Sequence, residues 1–104
     1  MNLKLQANEV RVRLSRGEAE RLAAGESLAE ETRLPGGAIA WRVDPSGSGT
    51  AVALDRGAVV VTVSAAEVRA LLEAPPSKDL GLHGSSGDVA LVIEIDLWSG
   101  KKRP

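Results

Sequence analysis

The feature that most constrains this chain is that it repeats itself. Shifted by 49 positions, residues 3–24 fall on residues 52–73 without a gap. Leu5 meets Leu54, Val10 meets Val59, Val12 meets Val61, Ser15 meets Ser64, Glu18 meets Glu67 and Leu22 meets Leu71, six identities in 22 positions. Other apolar positions agree in class, Leu3 with Val52, Leu14 with Val63 and Ala19 with Val68. A period of about half the chain points to one supersecondary unit used twice.

Each copy reads alike. Leu3–Gln6 and Val10–Leu14 alternate apolar and polar residues around Ala7-Asn8, a hairpin signal. Ala51–Asp55 and Ala58–Val63 do the same around Arg56-Gly57. Ser15-Arg16-Gly17-Glu18 and Ser64-Ala65-Ala66-Glu67 then fit the capping box, in which serine and glutamate satisfy the orphan amides of a helix start. Ala19, Leu22 and Ala23 share one helical face, as do Val68, Leu71 and Leu72. Gly25 ends the first helix and Pro75-Pro76 the second.

A second hairpin closes each half. Ser27–Leu34 turns at Pro35-Gly36-Gly37 into Ala38–Val43, and Lys78–His83 turns at Gly84-Ser85-Ser86-Gly87 into Asp88–Trp98. Asp44–Gly49 reads as a flexible bridge. The expected fold is α+β: two ββαββ repeats, eight mostly antiparallel strands and two short helices, in a pseudo-twofold sandwich or small barrel. One domain should span 1–104, with repeats at about 1–45 and 50–98 and a flexible basic tail at 99–104.

Composition narrows the function. At 104 residues there is chain for one core, drawn from Ala, Val and Leu, with Trp41 and Trp98 as the only rings. No apolar run approaches the roughly 18 residues of a spanning helix. Met1–Val10 lacks the layout of a signal peptide, so the expected address is the cytoplasm. Without cysteine there is no disulfide, thiolate nucleophile or Cys-ligated metal. A net charge of −1 argues against a dedicated nucleic-acid binder, and the tail Lys101-Lys102-Arg103 has no interleaved aromatics for stacking. His83, the single histidine, reads as a surface turn residue without metal-ligand spacing around it. Gly84-Ser85-Ser86-Gly87 lacks the lysine and the strand-to-helix setting of a phosphate loop. No cofactor and no metal are expected.

Alternation assigns faces to the remaining candidates. Val10, Val12 and Leu14 point inward, so Arg11 and Arg13 point outward; Val89, Leu91, Ile93, Ile95 and Leu97 point inward, so Glu94 and Asp96 point outward. Neighbouring strands would set those arginines against those carboxylates as a solvated surface, whereas arginines left free would make an anion site. Trp41 shares phase with Ile39 and Val43 and reads as core; Trp98 ends the last strand. Glu30 and Thr32 share phase with Leu28 and Leu34, which would turn a carboxylate inward unless the strand carries a bulge. A buried Glu30 paired with Arg33 or Arg42 would be the best single site candidate.

At its opening hairpin and helix the chain resembles a family of short bacterial proteins, a domain of unknown function. The family opens with a Lys-Ile-Arg-Ile-like strand, an Asn turn and an Ile-Arg-Leu-Arg-Leu-Ser/Thr strand running into a Glu-led helix. The matching residues are Leu3-Lys4-Leu5, Asn8, Val10-Arg11-Val12-Arg13-Leu14-Ser15 and Glu18, with Glu30-Glu31-Thr32 and the acidic Glu94-Ile95-Asp96 further on. The final strand departs from the family's Glu-Lys-Asp-Phe ending. The resemblance implies a fold and carries no chemistry. In topology the duplicated unit is also similar to the triphosphate-tunnel enzymes, but Leu3-Lys4-Leu5 lacks their alternating glutamates and Arg11 and Arg13 turn outward.

The leading expectation is a small non-enzymatic binding or interaction module, engaging a protein partner or a second copy through a strand edge, with no membrane or nucleic-acid role. The alternative is a small-anion or nucleotide-binding regulatory domain using Arg11, Arg13, Arg33 and Arg42, with Glu30. Arginine outnumbers lysine nine to four, and its planar fork suits phosphate. A hydrolase or triphosphate-tunnel-like enzyme, with Glu30 or Glu31 as base, stands third.

Overall fold

The computed structural model describes residues 1–46, 49–73 and 81–96. Pro75-Pro76, Lys78, Leu97, Trp98 and the tail at 99–104 lie outside them. The elements are β1 (Asn2–Gln6), β2 (Glu9–Ser15), α1 (Arg16–Ala23), β3 (Leu28–Leu34), β4 (Gly37–Ser46), β5 (Ala51–Asp55), β6 (Ala58–Ser64), α2 (Ala65–Glu73), β7 (Gly81–Ser86) and β8 (Val89–Asp96).

Two four-stranded sheets form, in the orders β1-β2-β8-β7 and β3-β4-β6-β5, and they stack as a sandwich without closing into a barrel. Each sheet takes one hairpin from each half of the chain. The outer pairs are antiparallel, whereas the central pairs β2–β8 and β4–β6 are parallel. The shift of 49 maps Leu5↔Val10 in one sheet onto Leu54↔Val59 in the other, and Leu3↔Val12 onto Val52↔Val61.

Alternation supplies the core. Val12, Leu14, Leu91 and Ile93 from one sheet meet Val43, Val61 and Val63 from the other, all fully buried. The two helices pack on each other and on the strand ends, adding Ala19, Leu22 and Val68. Small aliphatic side chains let these layers approach closely, and burial returns about 25 cal/mol per Å² of apolar surface. Strands β2, β4, β6 and β8 all run toward the helices, which leaves the four hairpin turns at the other end of the sandwich.

The caps follow the sequence. Ser15 Oγ accepts from the Glu18 amide at 3.2 Å, and Glu18 Oε1 accepts from the Ser15 amide at 2.9 Å. Ser64 Oγ likewise accepts from the Glu67 amide at 3.2 Å. Gly25, at φ +94°, ends α1 in a Schellman motif: its amide donates to the Leu22 carbonyl, and the Glu26 amide to that of Arg21. Ser15→Ala should therefore cost about 1 kcal/mol in chemical unfolding, while Ser27→Ala, outside both caps, should cost nothing measurable. Equal losses would mean that the cap contributes nothing.

Glu18 also meets the Met1 ammonium at 2.9 Å. Burial pushes its carboxyl up, but the Ser15 amide and the ammonium outweigh this and hold it below its ordinary value of 4.5. In the window between the depressed folded value and that ordinary value, the unfolded chain binds more protons, so stability rises with pH. The advantage of the parent over Glu18→Gln should be complete above the window and vanish as pH falls through it. An advantage that survives acidification would remove charge as its source.

Three expectations need correction. Asp44–Gly49 is not wholly a bridge, because β4 continues through Asp44, Pro45 and Ser46. Pro45 is tolerated there because β3 stops pairing at Val43, so the missing N–H falls where β4 has lost that neighbour. Gly84-Ser85-Ser86 is strand and not turn; the turn follows at Gly87-Asp88, and His83 lies exposed within β7. Glu30 is neither turned into a core nor set in a bulge. The β3–β4 register is continuous from Leu28↔Val43 to Leu34↔Gly37, but only Leu28 of β3 is buried. The hairpin runs on past the core, so its inner face has nothing to be buried against.

Candidate functional site

The arginines singled out from sequence occupy the outward positions of two back-to-back sheets and do not converge. On the first sheet, Arg11 Nη1 donates to Glu94 Oε1 and Arg11 Nη2 lies 3.3 Å from Glu9 Oε1. Arg13 Nη2 lies 3.5 Å from Asp96 Oδ2. Register explains the ladder: Arg13 stands opposite Glu94 and Arg11 opposite Val92, so each arginine reaches one pleat further along β8. On the second sheet, Arg42 bonds Asp44 at 2.9 Å and approaches Asp55 at 3.7 Å, while Arg33 bonds Glu31 at 3.0 Å. Hydrogen bonds, to Glu9 first and then Glu94, push the Arg11 guanidinium further above its already high range, and Asp44 does the same for Arg42. Both stay charged and paired. Exposed pairs of this kind contribute little to stability.

Glu30 takes no ion pair among the described residues. It stands opposite Trp41, which shares the core-facing side with Val43 but sits at the margin, half-buried, with its Nε1–H lacking a partner among the described residues. A shallow depression of about 430 Å³ lies here, lined by Ala29, Glu31, Ala40, Trp41, Arg42 and Ala58 with Glu30. A second hollow, of about 480 Å³, lies beside the helices between Arg16, Glu20, Arg69 and Glu73. Arg69 is committed to structure, because Nη2 donates to the Ala23 carbonyl at 2.7 Å and so caps the C-terminal end of α1. Among the described residues, no group of three His, Asp or Glu side chains could hold a metal ion.

The sequence reading missed a difference between the two sides of the sandwich. Edge strands β5 and β7 meet: the Val52 amide donates to Ser86 Oγ at 3.0 Å, and Gly84 lies against the Thr50 carbonyl. On the other side, β1 and β3 hold the matching positions and pack together far less. Of the four large apolar residues left exposed among the described residues, three lie in the β1, β3 and β4 strands of that side: Leu5 at 57%, Leu34 at 50% and Ile39 at 45%. Every residue of β3 from Ala29 to Leu34 is exposed, and the strand pairs only with β4. The available signal was the hairpin's failure to alternate as a half-buried strand should, with Glu30 and Thr32 on the phase of Leu28.

Fold and site define an α+β two-sheet protein in which Arg11, Arg13, Arg33 and Arg42 each pair with a carboxylate and in which β3 is the longest edge strand among the described residues. The model of a family of unknown function, DUF7009, matches residues 1–99, and the chain belongs to that family. No curated protein and no solved structure matches it. No helix among the described residues is long and apolar enough to cross a membrane.

Proposed function

We propose that this protein is a non-enzymatic interaction module that takes a second polypeptide along the β3–β4 hairpin. One observation carries the reading: β3 presents a free edge beside the seam that Leu5, Leu34 and Ile39 leave uncovered. An unpaired strand offers N–H and C=O groups to an incoming strand, and the apolar side chains beside it supply the burial. The anion-binding alternative is weakened by the carboxylates that accompany Arg11, Arg13, Arg33 and Arg42. A bacterial, cytoplasmic address and an origin by duplication belong to the same reading, the latter supported by the matched registers at Leu5↔Val10 and Leu54↔Val59.

Affinity capture from cells tests this. The parent chain should retain a protein, itself included, that the Leu34→Lys, Ile39→Lys variant does not, while Arg11→Ala, Arg13→Ala retains it fully. Equal retention by parent and hairpin variant would sink the proposal. So would a thermal shift with phosphate or nucleotides that Arg11→Ala abolishes, since that result belongs to the anion reading.

A further inference from the structure

We infer that the polypeptide taken up at the β3 edge is a second copy of this chain, paired antiparallel with its own β3 about a twofold axis through Thr32. The inference rests on the hairpin-docking reading above and names its occupant. Two copies related by a twofold perpendicular to the sheet keep their inner faces on the same side, so the axis must pass through a residue of β3. An axis through Glu31 would set two carboxylates opposite each other, one through Glu30 would do the same, and one through Arg33 would oppose two guanidiniums.

The axis through Thr32 is different. It places Glu31 opposite the partner's Arg33, Arg33 opposite the partner's Glu31, and Thr32 opposite the partner's Thr32. Glu31 and Arg33 share the outer face of β3 and already bond to each other at 3.0 Å, with side chains 48% and 88% exposed. They are free to exchange that local contact for two contacts across the axis. Opposed charges directly across an antiparallel pair stabilise it, and like charges there destabilise it.

The second support is the uneven seam. Within one chain β5 and β7 close their side of the sandwich, whereas β1 and β3 leave theirs open. In the twofold arrangement the partner's Leu34 stands opposite Glu30, and the partner's hairpin tip runs back toward Leu28, at the border of the core. That brings the partner's apolar hairpin face, Leu34 and Ile39, alongside the seam that exposes Leu5. The same two residues of the first copy cover the partner in return, as a twofold requires.

Sedimentation equilibrium of the full chain over a range of concentrations tests the pairing. The parent should be a monomer–dimer mixture. Glu31→Arg alone makes β3 wholly basic at these positions and Arg33→Glu alone makes it wholly acidic; each should weaken self-association about tenfold or more. The double variant should regain it, and so should an equimolar mixture of the two single variants, which no folding defect would produce. A parent that stays monomeric, or a dimer indifferent to both reversals, overturns self-pairing. Should the parent then still capture a different protein that the Leu34→Lys, Ile39→Lys variant loses, the failure lies with the second copy and not with docking at the hairpin.

Discussion

Leu22→Ala is expected to cost about 2–5 kcal/mol, the range for emptying a fully buried leucine site. Leu22 is fully buried on the face of α1 that, with Ala19 and Ala23, meets α2 and the strand ends. The core cluster it belongs to is just over half valine and alanine, short side chains with little reach to fill the space. At about 4–8 °C per kcal/mol for a domain of this size, the Tm should fall by more than about 8 °C. Leu54→Ala is the control, because Leu54 is 77% exposed and its truncation should stay within about 0.5 kcal/mol. A Leu22→Ala melting curve that overlays the Leu54→Ala curve would mean that the helices do not plug the core.

Gly84→Ala should cost about 1–3 kcal/mol although it adds one methyl group. A Cβ at this position would stand 2.8 Å from the Thr50 carbonyl oxygen and 3.5 Å from the Thr50 Cβ. The obstacle is backbone, which cannot swing aside as a side chain tip can. Relief requires moving β7 away from β5, at the expense of the Val52 amide bond to Ser86 Oγ. Loss of stability should thus be accompanied by faster hydrogen exchange at the Val52 amide. Unchanged protection there would place the strain elsewhere.

Much of the fold is legible in the sequence because it is written by local rules. The Asn8 and Gly57 turns, both capping serines and the alternation in β2, β6 and β8 each depend on residues a few positions apart. The Arg11 and Arg13 ladder to Glu94 and Asp96 was also within reach, since parity alone decides which side chains leave the sheet. What escaped was set by distant chain. Gly84 looks like a turn residue and is there because Thr50 lies against it. Pro45 looks like a breaker, and nothing near it says that the pairing of β4 with β3 stops at Val43. Glu30 was misplaced for the same reason: phase tells which face a residue takes, but not how far the opposite sheet extends over that face. The candidate site lies where that cover stops, so parity within one strand could not reveal it.

The interleaving of the halves also sets an order of assembly. All strands of the second sheet lie between residues 28 and 64, whereas the first sheet joins residue 2 to residue 96. As the chain leaves the ribosome, the β3–β4 and β5–β6 hairpins can pair while β2 still waits for β8. Non-local parallel pairing is the slow kind, since a long loop must close before any contact rewards it. The arrival of β8 beside β2 is thus expected to be a late step of folding. A slip of two residues would keep every apolar side chain inward, so burial alone discriminates poorly against it. Arg11 and Arg13 discriminate in one direction only: sliding β8 so that Glu94 stands opposite Ser15 would take it four residues along from Arg11 and break that contact, whereas the opposite slide would set Glu94 opposite Arg11 and Asp96 opposite Arg13. Weak as surface charges in the finished molecule, they resist a slide of β8 in that one direction.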